Sequence, residues 1–436
     1  MAALSDEQTE REKVAKLLID KGVHMENKDN GRRTPLHLAA ACGHRSFTTL
    51  LLDNGADKET EDLNGTPLYV AAINGHEVIL RLLLDRGADL SKPLCAAAAN
   101  GHEAGIKLLM ETAAKRGAYA LQEEPLFAAV KNNREVIVEL LLGKAPKNNG
   151  GHLVHALNLA AEGGHETIAR LLLDECADMD ASYFCATLLC YAVRNGHKAV
   201  VKLLLERGAD MEGSHLYYIP LCEAAANGHE GVVRLLLKNG ANKNAAGRIG
   251  RTPLRCTVEN KHEAVVRLLL EWGVETEHGS QMGWTPLQIA AHKGYEAITR
   301  LLLENGVDKE AKGARNETAL FSAAVWGQLA VVKLLIEEGA DTEATDEGGR
   351  MAMHVVSSKR NAIFSKDPEA VLRLLVEKGA NKEARDSWGR TPLHVAAGEE
   401  REAIVTLLLR LGANREGTRR VGRRSILLRH RDVRLL

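Results

Sequence analysis

The stretch Thr34-Pro35-Leu36-His37-Leu38-Ala39-Ala40-Ala41-Cys42-Gly43-His44 decides how the rest of the chain is read. Thr34 is placed to cap a helix whose first position is Pro35, where a missing N–H costs nothing. Leu36, Ala39 and Ala40 then fall at i, i+3 and i+4, one apolar stripe on about two turns. Gly43 stops that helix, His44 opens a second one ending in Leu50-Leu51-Leu52, and Gly55 supplies a left-handed stop. The polar, turn-rich residues from Ala56 onward suit a protruding hairpin, a finger, before the next copy. Alanines on the first helix let neighbouring helices approach toward the short end of the ~8–10 Å packing range.

The segment recurs as Thr66-Pro67-Leu68-Tyr69, Thr252-Pro253-Leu254-Arg255, Thr285-Pro286-Leu287-Gln288 and Thr391-Pro392-Leu393-His394. Degenerate copies start at Lys92, Glu124, His155, Thr187, Ile219, Thr318 and Met351. Successive starts lie 32, 26, 32, 31, 32, 32, 33, 33, 33, 33 and 40 residues apart, a period that chance does not produce twelve times over. One such unit buries too little to be stable alone, whereas stacked units share a long core.

These residues resemble the ankyrin repeat: T-P-L-H-x-A-A, then Gly-His, then a Leu triplet, then Gly-Ala-Asp. The resemblance runs from about Glu10 to Arg415. It implies an all-α repeat solenoid of stacked helix-turn-helix units with β-hairpin or loop fingers, a concave protein-binding surface and no catalysis. The expected organisation is an N-terminal half-repeat at 1–33, an array of about twelve repeats at 34–416, and an Arg-rich tail or short capping helix at 417–436. Val14, Leu17, Leu18 and Ile19 form a second-helix pattern without a preceding first helix. Either polar residues there cap the stack or the chain is cut from a longer array. The 26-residue step predicts irregular or missing fingers between about 88 and 155, with Thr112–Arg116 prolonging a helix; the 40-residue step predicts an insertion near 360–366.

Composition agrees with a folded helical protein and sets limits on function. Apolar residues make up 45% and charged residues 26% of the 436, which excludes wholesale disorder. Net charge is −1, but the segment from Arg415 to Leu436 carries eight Arg against Glu416 and Asp432, a net of +6. The preceding residues therefore hold −7 and lack the basic field that nucleic-acid binding needs. Arg419-Arg420 and Arg423-Arg424 read first as a solvated tail and second as a nuclear import signal or acidic-partner patch. Seven cysteines without a C-x-x-C pair, no secretory signal and no run of ~18 apolar residues point to an intracellular protein, cytoplasmic or nuclear, without a membrane span.

Catalytic and metal chemistry finds no support. His76, His102, His165, His229 and His262 each precede a glutamate, yet the position four residues on holds Leu80, Ile106, Ala169, Val233 and Val266, so no zinc-protease motif exists. These five, with His44 and His197, share one repeat position. Stacked copies put them about 10 Å apart, too far for a common metal with bonds near ~2.1 Å. Turn and helix-start roles are expected instead. Cys190 and Cys222 align in adjacent copies and are expected as separate buried thiols, since a disulfide needs Cα atoms within ~7 Å. Cys176, Cys185 and Cys190 lack a partner pair for a metal. No G-x-G-x-x-G, P-loop or G-x-S-x-G is present. No cofactor, metal or small-molecule substrate is expected.

A partner surface is suggested by the residue three before each cap, which should sit at a finger tip. From the fourth copy to the ninth this column reads Leu121, His152, Phe184, Leu216, Ile249 and Met282, with Tyr183, Tyr217, Tyr218 and Trp284 beside it. Only 16 aromatics exist in the chain, so their concentration here is informative. Two readings stand: an apolar, aromatic stripe that grips partner proteins, or tips that pack on one another. Acidic finger residues such as Glu59, Glu61, Asp62, Asp346 and Glu347 would select partners. The expected function is a non-catalytic scaffold or adaptor for proteins of unknown identity; the alternative is the recognition portion of a larger signalling protein.

Overall fold

The computed structural model describes residues 13–14, 16–17, 19–90, 92–116, 123–143, 150–176, 181–212, 219–247, 250–277, 283–358 and 367–414; for 123, 150, 181–184 and 186 the backbone alone is described. Two compact units divide the chain at Ala209 and Asp210. Besides helical residues among 13–20, the described residues hold twenty-four α-helices in twelve pairs and no strand.

In the first unit the pairs are α1 Pro35–Cys42 with α2 Arg45–Asp53, α3 Pro67–Asn74 with α4 Glu77–Asp85, and α5 Pro93–Asn100 with α6 Glu103–Lys115. They continue as α7 Glu123–Lys131 with α8 Glu135–Leu142, α9 Gly150–Gly163 with α10 Glu166–Glu175, and α11 Ala181–Arg194 with α12 Lys198–Glu206. The second unit holds α13 Pro220–Ala226 with α14 Glu230–Lys238, α15 Pro253–Glu259 with α16 Glu263–Glu271, and α17 Pro286–Lys293 with α18 Glu296–Glu304. Then follow α19 Ala319–Val325 with α20 Leu329–Glu337, α21 Ala352–Ser357 with α22 Pro368–Glu377, and α23 Pro392–Gly398 with α24 Glu402–Arg410. Within each unit a first helix packs on its own second helix and on the first helix of the next repeat. Each unit is an all-α repeat solenoid.

The core follows the repeated letters. Leu36, Ala39 and Ala40 are at most 1% exposed, as are Leu68 and Ala71 of α3 and Leu287 and Ala290 of α17. Second helices contribute Ile79, Leu80 and Leu83 of α4, or Ile298 and Leu302 of α18. Each such leucine or isoleucine contributes about 1.5–3 kcal/mol on burial. Before α1, Ile19 and Met25 pack on the Leu36–Leu51 cluster, whereas Val14 and Leu17 are exposed.

Three hydrogen-bond columns hold repeat to repeat. In the first, the residue opening a second helix donates to a carbonyl at the end of the preceding first helix: His76 Nε2 to Ala41 O (2.9 Å), His102 to Ile73 O (2.6 Å), His197 to Glu162 O (2.7 Å) and His262 to Ala226 O (2.9 Å). Arg134 and Gln328 serve at the same place, on Ala99 O and His292 O. The histidine column is therefore structural. It also explains Gly43, whose φ of +71° favours glycine and where an added Cβ would lie 2.7 Å from His76 Nδ1.

In the second column, the third residue after a cap reaches the carbonyl just before the next cap. His37 Nε2 donates to Gly65 O (3.0 Å), His354 Nε2 to Arg390 O (2.9 Å), and Gln288 to Glu317 O. In the third, a finger glutamate accepts the backbone N–H of the next finger: Glu26 from Asp57 (2.9 Å), Glu277 from Asp308 (3.2 Å), Glu310 from Asp341 (2.7 Å) and Glu343 from Asn381 (2.8 Å).

Several expectations change. The described fingers are turns rather than β-hairpins with strands; single backbone bonds such as Ser387 N to Gly348 O (3.0 Å) link neighbours. His152 and the pair Tyr183 and Phe184 lie inside the fourteen-residue helices α9 and α11, not at finger tips. In α1, α3, α5, α13, α15, α17 and α23 a proline at the first helical position keeps the preceding residue out of the helix. The copies at His155 and Thr187, followed by Ala156 and Leu188, lack that constraint and start earlier. Those at Thr318 and Met351 lack it too but start at Ala319 and Ala352, so the missing proline permits the extension without dictating it. As expected, Thr112 to Lys115 prolong α6. The fingers at 117–122 and 144–149, the insertion at 360–366 and the tail at 417–436 lie outside the described residues.

Candidate functional site

Of the nine residues singled out for partner binding, only Trp284 has a described side chain; Leu121, Leu216, Tyr217, Tyr218, Ile249 and Met282 lie outside the description, and Tyr183 and Phe184 are placed by backbone alone. Trp284 precedes the Thr285 cap of α17 and is half-buried. Its indole meets the His292 ring edge-on, with centroids 5.0 Å apart at 72°. His292 meets Trp326 of the next repeat in the same manner, at 4.2 Å and 72°. The three rings form one cluster on the first-helix side of the second unit, with aromatic pairs contributing about 0.5–1.5 kcal/mol each beyond burial.

The repeat register assembles this cluster. His292 is the seventh residue after its cap and Trp326 the eighth after Thr318, one turn beyond the buried alanines. In six other copies the eighth position is asparagine, at 74, 100, 132, 195, 227 and 260, each returning its side-chain N–H to the carbonyl four residues back at 2.8–2.9 Å. Trp326 replaces a self-satisfied polar group with a large ring. Burial first, and the neighbouring Lys293 charge second, push the His292 imidazole below its ordinary value, so the ring is neutral near pH 7. No protein acceptor or donor reaches its buried Nδ1.

One repeat earlier, the positions of Trp284 and His292 are held by Arg251 and Glu259. Arg251 Nη2 and Arg255 Nε share the Glu259 carboxylate at 2.9 and 2.7 Å. The face thus passes from an ion-paired strip to an aromatic one within two repeats.

At the third residue before a cap, two described finger tips carry exposed apolar side chains, while Gly31, Arg315 and Gly348 hold the position in others. Leu63 is 71% and Trp388 65% exposed. Trp388 lies against Gly348 of the preceding finger and under the Arg390 guanidinium, 4.9 Å from its centroid. Several acidic finger residues also make local hydrogen bonds. Glu59 accepts from Asp89 N (3.2 Å), and Asp62 from Asn64 N and Gly65 N (2.6 and 2.7 Å). Asp346 is buried at 6% exposure and holds Arg350 at 2.6 Å. These carboxylates close turns and join fingers; Glu61 forms an exposed pair with Lys92 at 3.0 Å.

Sequence reasoning missed His292 and Trp326, whose signal is a break in the seventh and eighth columns after the cap. Among the described residues no group of three His, Cys, Asp or Glu is arranged to hold a metal, and no helix is long and apolar enough to cross a membrane. Grooves between second helices, one lined by Lys261, Arg267, Tyr295 and Glu304 and another by Glu369, Arg373, Glu402 and Arg410, are open and polar.

A family model for ankyrin repeats (three copies) matches residues 1–93, 126–215, 213–280, 273–346 and 343–419. Among solved structures, the chain is similar to the ankyrin repeat domain of Bcl-3, described as a unique member of the IkappaB protein family, at 27% identity and a TM-score of 0.45, over 51% of this chain and 97% of that one. No curated protein matches. With its period, its helix pairs and this match in agreement, the chain belongs to the ankyrin repeat family.

Proposed function

We propose that the protein is a non-catalytic intracellular scaffold or adaptor, binding partner proteins through the first-helix face and the finger tips. Membership of the ankyrin repeat family supports a protein-interaction scaffold in general. The observation that carries the finer reading is the Trp284–His292–Trp326 cluster, a half-buried aromatic surface in which Trp326 stands where six other repeats carry asparagine. Exposed Leu63 and Trp388 support the use of finger tips. The reading extends, separately in each unit, to Leu121, Tyr183 and Phe184 and to Leu216, Tyr217, Tyr218, Ile249 and Met282. An array spanning 34–416 with a terminal half-repeat and tail remains the proposed organisation.

Burying a few large side chains supplies roughly 2 kcal/mol each, against an association cost of about 4–15 kcal/mol. Affinity therefore depends on several rings acting together. The test is affinity capture with the wild-type chain and with W284S/W326S, followed by quantitative mass spectrometry. A defined set of proteins should fall at least about tenfold, in line with loss of interface aromatics, while the circular dichroism spectrum at the capture temperature stays that of the folded chain and melting falls only by the loss of the ring contacts. Full retention by a folded variant discards this placement.

A further inference from the structure

Four described repeats place an arginine just before the cap: Arg33, Arg251, Arg350 and Arg390. Three of these have a carboxylate of their own four residues back. Arg33 pairs with Asp29 at 2.8 Å, Arg350 with Asp346 at 2.6 Å and Arg390 with Asp386 at 2.8 Å. Each aspartate also accepts the backbone N–H of its arginine, at 2.8–2.9 Å. Four residues before Arg251 stands Gly247. The turn is kept, since Gly247 N donates to Arg251 O at 3.2 Å as Asp346 N does to Arg350 O at 3.0 Å. The carboxylate is missing. Arg251 turns instead to Glu259, where its Nη2 joins Arg255 Nε on one carboxylate, at 2.9 and 2.7 Å. Each of these two guanidinium groups makes that single side-chain hydrogen bond, and Arg251 Nε and Arg255 Nη1 are buried without an acceptor among the described residues. A guanidinium carries five N–H donors, so two cations share one anion and most of their donors lack a protein acceptor.

We propose that Arg251 and Arg255 form a receptor for one carboxylate, an aspartate or glutamate side chain of a partner protein, which supplies from outside the anion that Gly247 does not. This deepens the reading of the first-helix face as a partner surface and rests on it. Exposure divides the work. The Arg251 side chain is 40% exposed and is the group a ligand reaches, while Arg255, at 12%, and Glu259, at 26%, form the floor behind it. Glu259 steadies Arg251 through one N–H and leaves its other terminal N–H groups for a planar, two-pronged grip on a carboxylate. The three side chains together carry one positive charge, so they attract an acidic side chain and repel a basic one. The site lies one repeat, about 10 Å, from the Trp284 and His292 positions. An extended chain rises about 3.3 Å per residue. The ligand is therefore a segment with its acidic side chain about three residues from the apolar one that meets the aromatic cluster.

The missing group can be restored within the chain. A Cβ added at Gly247 meets nothing closer than Arg251 O at 3.8 Å, an ordinary contact. Gly247→Asp should therefore rebuild the turn seen at Asp346 and Asp386, and should melt at a higher temperature than wild type through the carboxylate gained and the glycine lost. The experiment selects binders of the full wild-type chain from a random peptide display library. Synthetic copies are then measured by fluorescence anisotropy, in the acidic form and with the Asp or Glu changed to Asn or Gln. On wild type the acidic form should bind at least about tenfold tighter, as charge-assisted hydrogen bonds require. Gly247→Asp and Arg251→Gln should each remove that difference while keeping the affinity of the amide form. W284S/W326S should weaken both forms and leave their ratio. Selected peptides without acid dependence, a library that yields no binder, or a preference that survives both Gly247→Asp and Arg251→Gln overturns the inference. If the acid dependence follows Arg251 while W284S/W326S changes nothing, the aromatic placement falls and the carboxylate receptor stands.

Discussion

Two junctions of the second unit occupy the same place in the repeat and are held differently. Between α21 and α23, His354 donates Nε2–H to Arg390 O at 2.9 Å and accepts Met351 N–H on Nδ1 at 3.3 Å. Between α13 and α15 the corresponding residue is Cys222, whose thiol reaches Arg251 O at 3.3 Å. The repeat period sets the backbone geometry of both, and the side chain at this position sets how strongly neighbouring repeats are joined. An N–H to carbonyl bond contributes about 0.5–1.5 kcal/mol net, while a thiol is a weak donor. The cysteine junction gives up that strength: its sulfur reaches only the backbone carbonyls of Arg251 and Ala245, at 3.3 and 3.7 Å.

The largest effect that separates the junctions is expected from His354→Ala. It leaves a carbonyl and an N–H without partners and opens a cavity, at a cost of about 2–4 kcal/mol. Native-state hydrogen exchange should show α21 and α23 opening more often while α13 and α15 stay unchanged; equal loosening at both sites would dissolve the contrast. Cys222→Ala should cost less, about 1 kcal/mol, because a small buried thiol is exchanged for a methyl group. Denaturant titration compares the two variants directly.

A smaller and opposite test uses pH. Burial holds the His354 imidazole below its ordinary value, and its two bonds require the neutral tautomer. The unfolded chain thus binds a proton near pH 6.5 that the folded one resists, so stability is full above that value and declines as pH falls through it. Between pH 7 and 6 the decline should stay under about 1 kcal/mol, within the single-group ceiling of about 1.4 kcal/mol per pH unit. Exchange in α21 and α23, corrected for intrinsic rates, should speed up relative to α13 and α15, where Cys222 takes the place of His354 at the junction. The smallest effect is expected from Asn227→Ala, which removes an exposed side-chain bond to Glu223 O at 2.9 Å and should cost about 0.5 kcal/mol.

The fold was legible because Thr-Pro-Leu and Gly-His recur at backbone-critical places, where caps and left-handed stops leave few alternatives. The early starts of α9 and α11 were less so: a missing proline at Ala156 and Leu188 permits them, but the same gap at Ala319 and Ala352 leaves the helix start in register. Structural histidines were recognised by spacing that excludes a shared metal, but their carbonyl partners 29–36 residues away needed coordinates. Trp284 was picked out by its place beside the finger column. His292 and Trp326 were not, because their contact joins different repeats at the seventh and eighth positions after the cap. Asp346 was hard to place for the opposite reason. Charge reads as exposed, yet Asp346 is buried by the turn it closes.

The account rests on the aromatic face of the second unit as the grip for partner proteins. Hydroxyl-radical footprinting of the full chain, alone and with a protein whose capture W284S/W326S abolishes, tests this most directly. Trp284 and Trp326 should become protected on complex formation, while Tyr295, beside the groove between second helices, keeps its free-chain reactivity. Protection of Tyr295 with both indoles still reactive would contradict the account.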